Sequence, residues 1–327
     1  MKSSLWTVIV SFIRSLLQEL TAAFRPGEWN AVAKRLRQTD RRTFFLTIRN
    51  LIPQLLIYYI LLSPILAAPL YNMMLFHPSM AGTYNAHSII GTKIENVYFN
   101  TRNGSKLHGW YLPAAKAKQI VLISHGNGGN LTNRMPLIAM FLRQGMSVFI
   151  YDYQGYGLSN GTPSIIKMKE DGTAAFDWLL SNKHYSEQDV VLFGESLGTG
   201  ITCHLAAQKH VAGIILQSPY ISLRDLARLK LFWLRLYPDA LFSTDEQLDN
   251  AKILQQPHAP LLLVHGAHDK VIPITCSEKL FSLAQPQKTF ARLENASHND
   301  IYDVDVEQYT ASVREFLRSL LYIETRY

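Results

Sequence analysis

Residues 93–327 predict an α/β architecture, a mostly parallel sheet with helices on both faces, and two observations carry that prediction. Short, almost unbroken apolar runs recur at residues 120–124, 146–151, 190–193, 213–216 and 261–264. Runs of that length and composition suit central strands buried on both faces. Apolar residues at helical spacing fill the gaps, over residues 131–142, 165–180, 201–207 and 306–321. Alternation of this kind calls for parallel strands joined by helical crossovers. Ahead of them, residues 94–99 and 107–112 flank the turn Asn103-Gly104 and read as a hairpin.

The N-terminal part is built differently. Of the net charge of +7, residues 1–50 hold nearly all, with nine Lys or Arg against three Asp or Glu. No Asp, Glu, Lys or Arg occurs between Leu51 and Thr92. The apolar stretch 51–70 matches the ~20 residues that cross a hydrocarbon core, and is expected to be a transmembrane helix, kinked by Pro53, Pro64 and Pro69. Arg37, Arg41, Arg42 and Arg49 precede it, so the N-terminus is expected in the cytoplasm and the domain after residue 75 on the non-cytoplasmic side. Leu5, Trp6, Ile9, Ile13, Leu16 and Leu20 suit an amphipathic surface helix. Residues 71–92 read as a connector. A basic arm beside an apolar span points to the lipid bilayer as partner, not to nucleic acid. Cys203 and Cys276 make no disulfide framework.

Residues 190–200 place Gly194-Glu-Ser-Leu-Gly198 between a strand and a helix. That sharp turn lifts the Ser196 hydroxyl above the sheet, and the helix start favours developing negative charge. A serine nucleophile needs a base, and the base an orienting acid; on such an elbow they follow in the order acid, then histidine. Asp269 lies in the loop after the strand at 261–264, and His298 in the loop after a probable strand at 289–293. Both loops leave the carboxyl ends of strands, where sites in such sheets form. His268 is the rival base, and Glu294 and Asp300 are the fallback acids. His265 and His268 have no companion ligand cluster, so neither metal nor organic cofactor is expected.

The loop His125-Gly-Asn-Gly-Gly-Asn130 follows the strand at 120–124. Its glycines allow close approach to a reacting carbonyl, and the main-chain N–H groups of Asn127 and Leu197 are the expected oxyanion-hole donors. No Walker-type Lys-Ser/Thr follows, which argues against a phosphate loop. Asn-x-Ser/Thr triplets at Asn103, Asn130, Asn160 and Asn295 are read as chance, because two of them border these loops.

The order His125-Gly126, Asp152-Tyr-Gln-Gly-Tyr-Gly157, Gly194-x-Ser-x-Gly198, Gly266-x-x-Asp269 and His298 resembles the α/β-hydrolase superfamily. Within it, residues 75–327 are similar to membrane-anchored serine hydrolases, a group that includes protein depalmitoylases. The depalmitoylases carry an N-terminal cysteine cluster, whereas no cysteine here precedes Cys203. Such enzymes often carry a cap, and residues 219–257 fit one. Leu226, Leu229, Trp233 and Leu236 would form an apolar helical stripe opposite Arg224, Arg228 and Arg235, either lining an acyl channel or belonging to an ordinary surface helix.

The function expected is hydrolysis of a carboxylic ester or thioester, acyl-lipid or acyl-protein, through an acyl-enzyme on Ser196, with His298 as base and Asp269 as acid. A serine peptidase and a catalytically silent membrane scaffold on the same fold are the alternatives.

Overall fold

A computed structural model describes residues 41–242 and 248–324. Two compact units divide the chain, residues 1–62 and residues 63–327. In the first, helix α1 spans Arg41–Leu61 with Pro53 inside it. The second opens with helix α2, Ala68–Leu75, whose first turn carries Pro69. The expected span at 51–70 is therefore not one helix. The chain leaves helical geometry around Ser63-Pro64, since proline supplies no N–H and disfavours helix in the residue before it. No helix among the described residues is long and apolar enough to cross a membrane. Residues 1–20 and Arg37 lie outside the described residues.

The second unit is an eight-stranded sheet in the order β12-β11-β10-β9-β6-β8-β5-β4. The strands are β4 (Glu95–Asn100), β5 (Lys106–Leu112), β6 (Ile120–Ser124), β8 (Ser147–Tyr151), β9 (Val190–Glu195), β10 (Gly213–Gln217), β11 (Leu261–Gly266) and β12 (Lys288–Leu293). The six from β12 to β8 run parallel, and the β4–β5 hairpin joins β8 antiparallel. Every residue of β6, β8, β10 and β11 is buried, as strands covered on both faces require. Two apolar clusters cover the two faces. One gathers Phe176, Ile201 and Tyr220, and the other Phe141, Phe193 and Phe316. The helices between the strands are α3 (Met135–Arg143), α4 (Ile165–Lys183), α5 (Gly198–Ala206), α6 (Leu223–Lys230), α7 (Asn250–Leu254) and α8 (Thr275–Leu283), and α9 (Val306–Glu324) follows the last strand.

Residues 71–92 are not a free connector. They hold the last turn of α2 and take part in three short strands, β1 (His77–Pro78), β2 (Ser88–Ile89) and β3 (Thr92–Lys93). β1 pairs parallel with β7 (Gly128–Gly129), inside the expected oxyanion loop. The catalytic unit thus begins near Ser63, not at residue 93.

The cap-like insertion also departs from expectation. α6 stops at Lys230, and Phe232–Leu236 continues as a 3₁₀ turn after Leu231 takes φ −121°. That change of phase breaks the expected stripe. Leu229 and Leu236 are exposed, and the Trp233 indole N–H donates to the Tyr71 hydroxyl at 3.2 Å. The face turned inward carries Leu223, Leu226, Ala227, Leu231 and Leu234 instead. Arg224, which also lines the cavity, and Arg228 share the Asp239 carboxylate at 3.0 and 2.8 Å.

Candidate active site

Ser196 stands between the end of β9 and the start of α5, with φ +52°. Left-handed backbone at a serine costs of the order of 1–3 kcal/mol and persists only where neighbours fix it. Here the Ser196 N–H donates to Gln217 O at 2.9 Å, and the Thr199 N–H donates to Ser196 O at 3.0 Å. The flanking glycines are required by packing. A Cβ on Gly198 would overlap Ser124 O, and one on Gly194 would lie 2.7 Å from Thr199 Cα.

Three loops converge on this serine. His298 Nε2 lies 3.1 Å from Ser196 Oγ, and its Nδ1 lies 2.6 Å from Asp269 Oδ2. An imidazole donating from Nδ1 to a carboxylate presents the Nε2 lone pair to the hydroxyl. Asp269 Oδ1 accepts the N–H groups of Val271 and Ile272, both at 2.8 Å. Burial alone would raise the Asp269 pKa, but hydrogen bonds from His265 and His298, together with the His298 charge, hold it well below the usual carboxylate range. His265 is a contributor that sequence reasoning left as a doubtful metal ligand. Its Nε2 is 3.2 Å from Asp269 Oδ2, and its Nδ1 is 2.7 Å from Ser277 Oγ.

The rivals lie elsewhere. His268 is exposed. Glu294 pairs with Arg292, and Asp300 accepts from the Ser297 N–H and hydroxyl. No group of three or more His, Cys, Asp or Glu side chains among the described residues could hold a metal ion. Cys203 is buried, Cys276 half-buried, and both are free thiols.

Asn127 and Leu197 line the same cavity as Ser196. Their N–H groups donate to no protein acceptor among the described residues, which leaves both available to an oxygen between them. The loop is fastened from several directions. Asn127 O accepts from the His77 N–H at 3.1 Å and the Tyr156 hydroxyl at 2.7 Å, and Asn127 Nδ2 donates to Leu75 O at 2.8 Å. Asn130 is fully buried and donates to Ser79 O and Ala81 O, so no glycan fits there.

Two carboxylates hold this loop: buried Asp152, which opens the Asp152–Gly157 motif read from the sequence, and half-buried Glu195, which the sequence did not single out. Asp152 accepts from the Leu131 N–H at 2.8 Å and faces His125 Nε2 at 3.4 Å. Glu195, the residue before the serine, receives both Nε and Nη2 of Arg134, at 2.9 and 3.1 Å, while Arg134 Nη1 donates to Gly128 O at 2.8 Å. Against the cost of burial, Arg134 holds Glu195 below its ordinary pKa, and His108 and His125 do the same for Asp152. The signal for Glu195 was present only as the variable letter of the Gly-x-Ser-x-Gly pattern.

Above Ser196 opens a largely apolar cavity of about 450 Å³. Its walls come from α2 (Ala68, Leu75), from α6 (Leu226, Ala227) and from the Asp269 loop (Val271, Ile272).

Comparison with known proteins agrees with this architecture. The family described as serine aminopeptidase, S33, matches residues 115–256. An uncharacterized protein of Mycobacterium tuberculosis is 30% identical over 246 residues, covering 75% of this chain and 86% of that protein. The lysophosphatidylserine lipase ABHD12 of Macaca fascicularis is 31% identical over 198 residues, covering 55% of this chain and 49% of the lipase. Among solved structures, the Pyrococcus furiosus esterase Pf2001 aligns with a TM-score of 0.63 at 20% identity, over 75% of this chain and 98% of the esterase. With a strand-to-helix elbow under Ser196 and a 30% identical relative matched over 86% of its length, the chain belongs to the α/β-hydrolase superfamily.

Proposed function

We propose that the protein hydrolyses carboxylic esters or thioesters of medium or long acyl chains, and that it does so at a lipid surface. The observation that carries the substrate class is the apolar cavity of about 450 Å³ opening on Ser196. Each methylene buried there stabilises the bound acyl chain by about 0.8 kcal/mol. Similarity to a lysophosphatidylserine lipase and to an esterase supports ester chemistry.

The chemistry follows from the geometry. His298 Nε2 takes the Ser196 proton as Oγ attacks the acyl carbonyl, and Asp269 holds the imidazole in the required tautomer. The oxygen that gains charge lies against the N–H groups of Asn127 and Leu197. His298 then protonates the leaving alcohol or thiol, and a water activated by His298 releases the acid from Ser196. The test is a panel of acyl esters and thioesters from acetyl to palmitoyl. kcat/KM rising with chain length is expected, and a maximum at acetyl would oppose the proposal.

A further inference from the structure

α2 and the turn before it have two apolar faces. Pro64, Ala68, Tyr71, Asn72 and Leu75 line the cavity above Ser196. Ile65, Leu66, Leu70 and Met73 do not line it, and they are 61, 58, 41 and 70% exposed. Leu70 and Met73, three apart, lie on one side of α2, and Ile65 and Leu66 belong to the turn before it. Met74 belongs to both sets, lining the cavity and 47% exposed, so it marks an edge between the outer face and the mouth. Isolated apolar side chains on a surface need no explanation, but a contiguous group beside a binding cavity marks a contact site.

We propose that this outer face of α2 docks on a lipid bilayer, with Ile65, Leu66, Leu70 and Met73 in the head-group and acyl boundary, so that an acyl chain enters the cavity past Met74 directly from the membrane. Three observations commit the face to lipid. The helix that would touch the bilayer is itself a wall of the acyl cavity, which a protein partner would have no reason to need. No formal charge lies between residues 51 and 92, so immersion to ~5–10 Å desolvates no charged group of this segment. On the other side of the cavity, Lys230 lines the wall and is exposed beside exposed Lys270, whose carbonyl it meets at 3.2 Å. Two cations near the mouth complement anionic lipid head groups. Docking would also bear on catalysis, because α2 leads straight into β1, and Leu75 and His77 both hold Asn127.

This docking rests on the acyl-ester reading for its purpose, and its test is separable from it. The full chain carrying Cys276→Ser, with Met73→Cys or Lys116→Cys labelled by an environment-sensitive fluorophore, is added to vesicles of phosphatidylcholine with a minor share of phosphatidylglycerol. Nitroxide groups on the shallow part of the acyl chains should quench the probe at position 73 several-fold more than the probe at 116, before the start of β6 at the opposite end of the sheet. In parallel, Leu70→Glu/Met73→Glu should lower turnover of a long-chain ester carried in vesicles by roughly tenfold, with turnover of a soluble butyrate ester unchanged within about twofold. A probe at 73 that lipid does not quench overturns the proposal, whether it is in water or shielded by a second copy or another protein. So does a charged pair that leaves vesicle-borne turnover intact. Failure of the unmodified enzyme to cleave any long-chain ester would overturn the substrate class instead, and the quenching result would stand apart from it.

Discussion

The guanidinium of Arg134 grips both carboxylate oxygens of Glu195 and reaches Gly128 O with its remaining nitrogen. One side chain thereby ties the oxyanion loop to the residue next to the nucleophile. Bidentate pairing fixes direction as well as distance, so the clamp sets where the Asn127 and Leu197 N–H groups lie relative to Ser196. Breaking one partner of such a pair costs about 3 kcal/mol, because the other charge is left buried. Arg134→Met or Glu195→Gln should each destabilise the protein by about that amount in urea unfolding. The double variant Arg134→Met/Glu195→Leu should recover much of the stability but not kcat. Full recovery of kcat in the double variant would reduce the pair to a packing role.

Three carboxylates around the site give a direction for acid stability. Asp152, Glu195 and Asp269 all have folded pKa values depressed below their ordinary ones. A depressed pKa contributes stability that is present above the unfolded value, about 3.9 for Asp and 4.3 for Glu, and is lost as pH falls toward the folded value. The melting temperature should therefore fall steeply below about pH 4.5. Glu195→Gln should lower it at neutral pH and make that fall shallower. An unchanged slope in the variant would show that Glu195 contributes nothing to it.

Cavity volume should set chain-length preference. Ala227 lines the wall on α6, and Ala227→Phe fills space that an acyl chain would occupy. Displacing about three methylenes at ~0.8 kcal/mol each costs ~2.4 kcal/mol, or roughly 60-fold in kcat/KM. Decanoyl and longer esters should lose that much, and acetyl esters should stay within about threefold. An equal loss across the series would mean that the substitution disturbs the catalytic groups, not the chain site.

The oxyanion loop should be sensitive to its strap. Asn127→Ala keeps the main-chain N–H but removes the side-chain hydrogen bond to Leu75 O. The expected result is roughly a tenfold loss in kcat with little change in KM, since the donor is displaced only where charge develops. A change confined to KM would place Asn127 in substrate binding.

Much of this was legible because the central strands are buried on both faces. Continuous apolar runs located β6 outright, and located β8, β9, β10 and β11 to within two residues at each end. Ser196, Asp269 and His298 were legible because each follows a strand, where side chains converge. Glu195 and Arg134 were not, since an ion pair across 61 residues leaves no periodic trace. The strap at residues 71–81 was hidden for another reason. Its hydrogen bonds are mostly through main-chain atoms, which any sequence supplies. The cap stripe failed because helical spacing was carried past Lys230, where α6 ends.

The central claim is that Ser196, served by His298 and Asp269, carries the acyl group. Its most direct test is rapid quench with a long-chain p-nitrophenyl ester, followed by peptide mass spectrometry and stopped-flow release of p-nitrophenol. The prediction is an acyl adduct on the Ser196 peptide, absent in Ser196→Ala along with turnover. His298→Ala should form the adduct ~10³-fold more slowly or less. Turnover surviving in Ser196→Ala, or an adduct on a different residue, would contradict the account.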